Sequence, residues 1–118
     1  MSRITLFVYG TLAPGQVAWS TLAPHARAQW ETYVHGRLYD TGRGYPAAVF
    51  GDGLGHVAGW CCELEDAPLA ELDEWEGDEY ERIVVTASDG TEAFAYHWHA
   101  PAAGLRVLPD GRWPEPEH

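Results

Sequence analysis

The apolar residues of this chain fall into short runs that predict β-strands. The first run, residues 3–9, is apolar almost throughout, which is typical of a strand covered on both faces. Turns such as Gly51-Asp52-Gly53 and Ser88-Asp89-Gly90 separate later runs, and the second turn predicts a hairpin. Altogether the pattern predicts six strands, over residues 3–9, 28–38, 47–50, 56–64, 80–87 and 92–99.

Two segments favour helices instead. A loop over residues 10–15, with Pro14 and Gly15, leads to a short predicted helix over residues 16–22. A second helix is predicted over residues 66–77, with Asp66 as its cap, Pro68 in its first turn and Gly77 at its end. Several strands with one or two helices predict an α+β domain with a mixed sheet or a partly closed barrel.

The second helix carries one acidic residue on its apolar face. If Leu69, Leu72 and Trp75 form the apolar stripe, a step of about 100° per residue puts Glu76 roughly 40° from its centre. The other acidic residues of this helix lie roughly 100° or more from that centre. Only Glu76 is therefore predicted to face inward.

An inward-facing carboxyl group is a candidate for catalysis. Burial raises its pKa toward neutrality, which suits a general acid/base. Two alternatives stay open on the residues alone. Glu76 either forms a structural ion pair with Arg82 or Arg37, or lies in water because the last helical turn frays.

The composition narrows the classes of function. A chain of 118 residues suffices for one domain, residues 1–118, in which residues 109–118 are predicted to be a covering loop or a loose tail. The net charge of −11 opposes binding to nucleic acid or to an anionic membrane. All basic residues are Arg, and without Lys the chain has neither Schiff-base chemistry nor a lysine-dependent phosphate loop.

The sequence also favours a cytoplasmic protein. Met1 is followed almost at once by a strand pattern, and no run approaches the roughly 20 apolar residues of a membrane helix. The adjacent Cys61 and Cys62 point to opposite faces of a strand, so we expect a reduced, buried pair. We expect the protein to be a monomer.

The last strands hold further candidate residues. His97 and His99 share one face, but no third ligand is close in sequence, so we predict solvent-facing histidines and no metal site. Tyr96 points to the other face, where it is expected to line a cavity. Arg82 shares a face with Tyr80 and either orients a substrate or is an exposed strand charge.

The loop after the first strand is a candidate anion site. Backbone N–H groups that leave a strand through Gly10 and run toward a helix start can hold a carboxylate. The segment lacks the glycine spacing and the Lys of a phosphate loop, and the alternative is an ordinary tight turn.

Several segments together resemble the γ-glutamylcyclotransferase-like superfamily, and more narrowly its small members related to γ-glutamylamine cyclotransferase and to the plant AIG2-like proteins. The order and spacing of the segments carry this resemblance along nearly the whole chain. One departure is Ala13-Pro14, which stands where family members often have a basic residue. The matching segments are Val8-Tyr9-Gly10-Thr11-Leu12, Gly44-Tyr45-Pro46, Val57-Ala58-Gly59-Trp60, Leu72-Asp73-Glu74-Trp75-Glu76-Gly77, Tyr80, Arg82 and Gly111-Arg112-Trp113.

The resemblance implies a compact mixed β-barrel with one or two flanking helices around a cavity, with Glu76 as acid/base. The implied reaction releases 5-oxoproline and a free amine from a γ-glutamylamine or γ-glutamyl peptide, without metal or cofactor. A non-catalytic small-molecule binding module of the same fold is the alternative. The residues predicted to bind the substrate are Tyr9, Gly10, Thr11, Leu12, Tyr45, Arg82 and Tyr96.

Overall fold

A computed structural model describes residues 2–114 of the chain. Its short helices are α1 (Trp19–Leu22), which continues into a 3-10 turn (Ala23–His25), and α2 (Leu69–Glu76). Neither is long and apolar enough to cross a membrane. The strands are β1 (Arg3–Val8), β2 (Ala26–Asp40), β3 (Pro46–Phe50), β4 (His56–Glu65), β5 (Tyr80–Thr86), β6 (Glu92–Trp98) and β7 (Arg106–Val107).

The strands form one mixed sheet with the order β3-β2-β4-β1-β6-β5, and β7 pairs with β2 outside this path. Only β1 and β6 run parallel among the described strands; the other pairs are antiparallel. The long strand β2 pairs with β4 through His35 and with β3 from Gly36 onward. The sheet bends at β2 because the first part of this strand pairs with β4 and its last part pairs with β3.

Side chains join the two ends of the sheet. The backbone N–H of Phe50 in β3 donates to His97 Nδ1 in β6 at 3.1 Å. The hydroxyl of Tyr80 in β5 donates to the carbonyl oxygen of Pro46 in β3 at 2.5 Å. These contacts make the sheet a nearly closed mixed β-barrel with two short flanking helices, which confirms the predicted fold class.

Alternate residues of β1 supply two layers of core. Phe7 packs inside the barrel with residues such as Val34, whereas Leu6 packs in a second cluster under the helices with Leu72. The adjacent Cys61 and Cys62 divide between the same two clusters, and both are buried free thiols, as predicted. A strand covered on both faces explains the apolar run at the start of the chain.

The first helix is shorter than predicted. Residues 16–22 were expected to be helical, but α1 begins only at Trp19. The residues before it form successive turns, in which the N–H of Gln16 donates to Ala13 and the N–H of Ala18 donates to Thr11. Pro14 and Gly15 favour such turns over a helix, so the prediction gave the loop too few residues.

The second helix also begins later than predicted, and its predicted cap is wrong. Asp66 has a φ of 53° and its carboxylate accepts a hydrogen bond from the N–H of Ser2, so it ties down the N-terminus instead of capping α2. Pro68 occupies the cap position, and Gly77 ends the helix with a φ of 83°. Trp75 was predicted to be in the core but is 57% exposed.

The segment after β7 returns across the barrel. The carbonyl oxygen of Gly111 accepts a hydrogen bond from the N–H of Ala58 in β4 at 2.7 Å. Trp113 packs against the core cluster inside the barrel. Residues 109–114 thus cover the barrel, and the rest of the predicted loop or tail, residues 115–118, lies outside the described residues.

Candidate active site

A cavity of about 320 Å³ lies between the end of β1, the loop that follows it and the C-terminal part of α2. Its size is at the lower end of the range for small-molecule sites. Six of the seven residues predicted to bind substrate are in its wall, and so is Glu76. The lining residues are Phe7, Val8, Tyr9, Gly10, Thr11, Leu12, Val17, Tyr45, Pro46, Trp75, Glu76, Tyr80 and Tyr96.

The loop after β1 approaches β3 closely because residue 10 is a glycine. A Cβ atom at Gly10 would lie 2.8 Å from Cγ of Pro46, which is too close for any other residue without a shift. Within residues 2–114, no internal hydrogen bond takes the N–H groups of Thr11 and Leu12. Two lining residues therefore carry free backbone donors, as an anion-binding loop requires.

Glu76 is the acidic residue of the cavity wall. Burial, and to a smaller extent the nearby negative charge of Asp73, together raise the pKa of Glu76 to about 7. Among the described residues no ion pair involves Glu76, so the predicted alternative of a pair with Arg82 or Arg37 is not observed. A carboxyl group with this pKa can take up and release a proton near neutrality.

Three tyrosines fix the wall around Glu76 through their hydroxyl groups. Tyr9 donates to the carbonyl oxygen of Tyr96 at 2.6 Å, and Tyr96 donates to Asp73 at 2.7 Å. Tyr80 donates to Pro46, as described above. Burial raises the pKa of all three tyrosines, so each remains a neutral hydroxyl.

Arg82 lies beside the cavity but does not line it. Its Nη2 atom is 3.5 Å from Oδ2 of Asp73, and its guanidinium carbon is 5.1 Å from the centre of the Phe94 ring. Arg82 thus holds Asp73, which in turn accepts the hydrogen bond from Tyr96. Its role in substrate binding stays a prediction.

The other cation near the cavity is also paired. Arg43 donates from Nη2 to both carboxylate oxygens of Glu79, each at 3.0 Å. Its guanidinium carbon lies 5.1 Å from the ring centre of Tyr45, a lining residue. The ion pair with Glu79 raises the pKa of Arg43. Its charge is therefore balanced within the protein.

A sequence pattern decides the family. The pattern of the family described as "Gamma-glutamyl cyclotransferase, AIG2-like" matches residues 6–115 of this chain. The chain belongs to this family. The match confirms the resemblance that the motifs indicate and includes all of the cavity lining.

One relative of known sequence agrees with this assignment, and solved structures share the fold. A protein of Halalkalibacterium halodurans named "Putative gamma-glutamylcyclotransferase BH1612" is 36% identical over 89 residues, which are 69% of this chain and 80% of that protein. The structure of the uropathogenic E. coli-specific protein c4763 has a TM-score of 0.80 at 23% identity, over 96% of this chain and 94% of that one. YkqA from Bacillus subtilis has a TM-score of 0.76 at 25% identity over 95% of this chain, which spans only 40% of the YkqA chain.

The structure adds residues to this γ-glutamyl cyclotransferase-like site that the sequence analysis did not predict to belong to it. Val17 and Trp75 lie in the cavity wall, Tyr80 joins two strands beside it, and Asp73 anchors Tyr96. Asp73 could have been predicted as a site residue, because it lies about one helical turn before Glu76. For Val17 there was no such signal, because a lone valine in a loop has no distinctive pattern.

Residues 2–114 contain no cluster of three or more side chains suited to hold a metal ion. His97 accepts the hydrogen bond from Phe50, and His99 makes a hydrogen bond with the carbonyl oxygen of Asp78. His97 is half-buried, not solvent-facing as predicted, because it joins β6 to β3. Burial accordingly lowers its pKa.

Proposed function

We propose that this member of the family is a γ-glutamyl cyclotransferase that releases 5-oxoproline and a free amine from a γ-glutamylamine or γ-glutamyl peptide. The observation that carries the proposal is Glu76, a carboxyl group in a cavity wall that forms no ion pair with any described residue and has a pKa raised to about 7. The family match and the name of the H. halodurans relative support the same reaction class.

The loop after β1 binds the α-carboxylate of the γ-glutamyl group. Thr11 and Leu12 supply free N–H donors there, which suit an anion. The hydroxyl groups of Tyr9 and Tyr80 already donate to protein carbonyls, so their oxygen atoms are left to accept. Acceptors of this kind suit an α-ammonium group, and they orient it toward Glu76.

The reaction is an intramolecular acyl transfer. Glu76 removes a proton from the α-ammonium group, and the free amine attacks the side-chain carbonyl carbon. A new C–N bond closes the five-membered ring, and the bond from that carbon to the leaving nitrogen breaks. The proton held by Glu76 passes to the leaving nitrogen, and the second proton that the ring nitrogen loses follows by the same route, so the amine leaves as an ammonium ion and Glu76 is again a carboxylate. Atoms and charge balance without a cofactor.

The wall of the cavity supplies the rest of the catalysis. It holds the substrate in a bent conformation, so that the amine and the carbonyl meet. Backbone donors near Thr11 and Leu12 also stabilise the charge on the carbonyl oxygen of the tetrahedral intermediate. In other acyl-transfer sites one such donor contributes about 3 kcal/mol.

The test is release of 5-oxoproline from a panel of γ-glutamylamines and γ-glutamyl dipeptides. We expect product with the wild type and with Glu74→Gln, and a rate roughly 100-fold or more lower with Glu76→Gln. Glu74 is the matched control because it is an exposed glutamate on the same helix. A folded wild type that binds these compounds but releases no 5-oxoproline would instead be the non-catalytic binding module.

A further inference from the structure

Two exposed apolar side chains lie at the open side of the cavity. Val17 is 86% exposed and Trp75 is 57% exposed, and both belong to the cavity wall. They come from different elements, the loop after β1 and helix α2. Large apolar side chains that are exposed together beside a cavity commonly mark a ligand-binding surface.

The same cavity offers no partner to a second carboxylate. Its described lining has no Arg, Lys or His. Arg43 and Arg82 lie beside the cavity, and each already pairs with an acidic residue; Nη1 of Arg82 has no hydrogen-bond partner among the described residues, but this atom is fully buried. A leaving group that is an amino acid would bring its own carboxylate next to Glu76 and leave it unpaired, which is unfavourable.

A positively charged leaving group would also find few carboxylates with which to form an ion pair. Glu79 gives both carboxylate oxygens to Arg43, and Asp73 holds Arg82 and the Tyr96 hydroxyl. The one carboxylate in the described wall itself is Glu76, which the proposed reaction uses. A neutral, apolar group meets none of these difficulties, and it fits against Val17 and Trp75.

We infer that the leaving group of the substrate is an uncharged alkyl- or arylamine, and that Val17 and Trp75 form the subsite that selects it. This inference rests on the proposed function. It specifies the class of substrate as γ-glutamyl amides of apolar amines, in preference to γ-glutamyl dipeptides and γ-glutamyl diamines. Val17 and Trp75 are specificity residues in this scheme and take no part in the proton transfers.

The test compares ligands that differ by one group. Calorimetry on Glu76→Gln, which is expected to slow turnover roughly 100-fold or more, measures binding of γ-glutamylphenethylamine and γ-glutamylphenylalanine, which differ only by a carboxylate. A second pair is γ-glutamylpentylamine and γ-glutamylcadaverine, which differ by a terminal ammonium group. We expect the neutral member of each pair to bind roughly 10-fold more tightly or better. Equal or tighter binding of either charged member would overturn the inference.

Variants of the two apolar residues provide the second arm. Val17→Ala and Trp75→Ala are expected to weaken binding of γ-glutamylphenethylamine by roughly 3- to 10-fold and to leave γ-glutamylmethylamine nearly unchanged. A merely structural effect would weaken both ligands alike and would contradict the assignment. The control is Val84→Ala, since Val84 is a 61% exposed valine on β5, away from the cavity.

Turnover by the wild type separates the two claims. Selective binding of the apolar amides without any 5-oxoproline would overturn the proposed reaction and still support the apolar subsite. Release of 5-oxoproline that is fastest from the dipeptide or the cadaverine derivative would support the reaction and overturn the subsite. If none of the four ligands binds to the folded protein, the inference is wrong.

Discussion

The surroundings of Asp73 and of Glu76 differ sharply, although the two acidic residues lie about one turn apart on α2. Asp73 accepts a hydrogen bond from Tyr96 at 2.7 Å and pairs with Arg82 at 3.5 Å. Glu76 has no ion pair among the described residues and lines the cavity. The two acidic residues therefore differ mainly in their hydrogen-bond and ion-pair partners. Asp73 is engaged in structural contacts, whereas Glu76 is available for chemistry.

The difference also has an electrostatic side. The charge of Asp73 is one of the two causes that raise the pKa of Glu76, the larger being burial. Asp73 therefore acts on the cavity twice, since it positions Tyr96 and makes Glu76 a better proton acceptor near neutrality.

The largest expected effect is on stability, through Glu76→Gln. The folded-state pKa of Glu76 is raised from 4.5 to about 7, so its contribution to stability is present at low pH and is lost as pH rises through about 7. At about pH 8 the variant should gain up to about 3 kcal/mol in free energy of unfolding. Urea denaturation should show this gain shrinking toward pH 5, and an equal gain in Glu74→Gln would show that the raised pKa of Glu76 is not its cause.

The second largest effect is expected on kcat when the side chain that carries the carboxyl group is shortened. Glu76→Asp keeps the acid but retracts it by one methylene, and we expect kcat to fall roughly 100-fold because the proton donor is misplaced. Release of 5-oxoproline measures it, with Glu71→Asp as control on the exposed side of the helix. An unchanged kcat would mean that the position of Glu76 does not matter to the reaction.

A smaller effect is expected from Asp73→Asn. The variant weakens the hydrogen bond from Tyr96 and leaves Arg82 without its carboxylate, and we expect a loss of about 1 kcal/mol of stability because Asp73 is partly solvated. Thermal or urea unfolding beside Glu74→Gln measures this loss. If Asp73→Asn is as stable as the wild type, the contacts of Asp73 with Tyr96 and Arg82 do not stabilise the fold.

The smallest effect is a shift in pH dependence. Because Glu76 must be deprotonated to act as base, kcat/KM of the wild type should rise with pH through a midpoint near 7. Asp73→Asn removes a charge that raises this pKa, so the midpoint should move to lower pH. A midpoint that stays in place, or that moves upward, would contradict the electrostatic role of Asp73.

Much of this site could be predicted from periodicity. The helical step alone turned Glu76 inward, because Leu72 marks the buried face of α2 and Glu76 follows it by four residues. The same reasoning failed for Trp75, since a large apolar side chain at helical spacing can face a cavity as well as a core. Periodicity reports which face turns inward and does not distinguish packed protein from a space reserved for a ligand.

Other features depended on contacts between distant parts of the chain. The link from Tyr80 to Pro46 closes the barrel across residues far apart in sequence, and no local pattern announces it. Asp66 was likewise predicted to cap the helix that follows it, but in the structure it accepts a long-range hydrogen bond from the N–H of Ser2. Local sequence patterns predicted strands β1 to β6 nearly correctly. The hydrogen bonds between side chains far apart in sequence could be seen only in the tertiary structure.

The place of β1 in the sheet has a consequence for biosynthesis. This strand is synthesised before both of its neighbours in the sheet, β4 and β6, which end at Glu65 and Trp98. A nascent chain therefore holds β1 without its partner strands until first β4 and then β6 have been made, and contacts so far apart in sequence form slowly. The loop that begins at Gly10 can take its final shape only then, so a truncated translation product would lack a formed cavity.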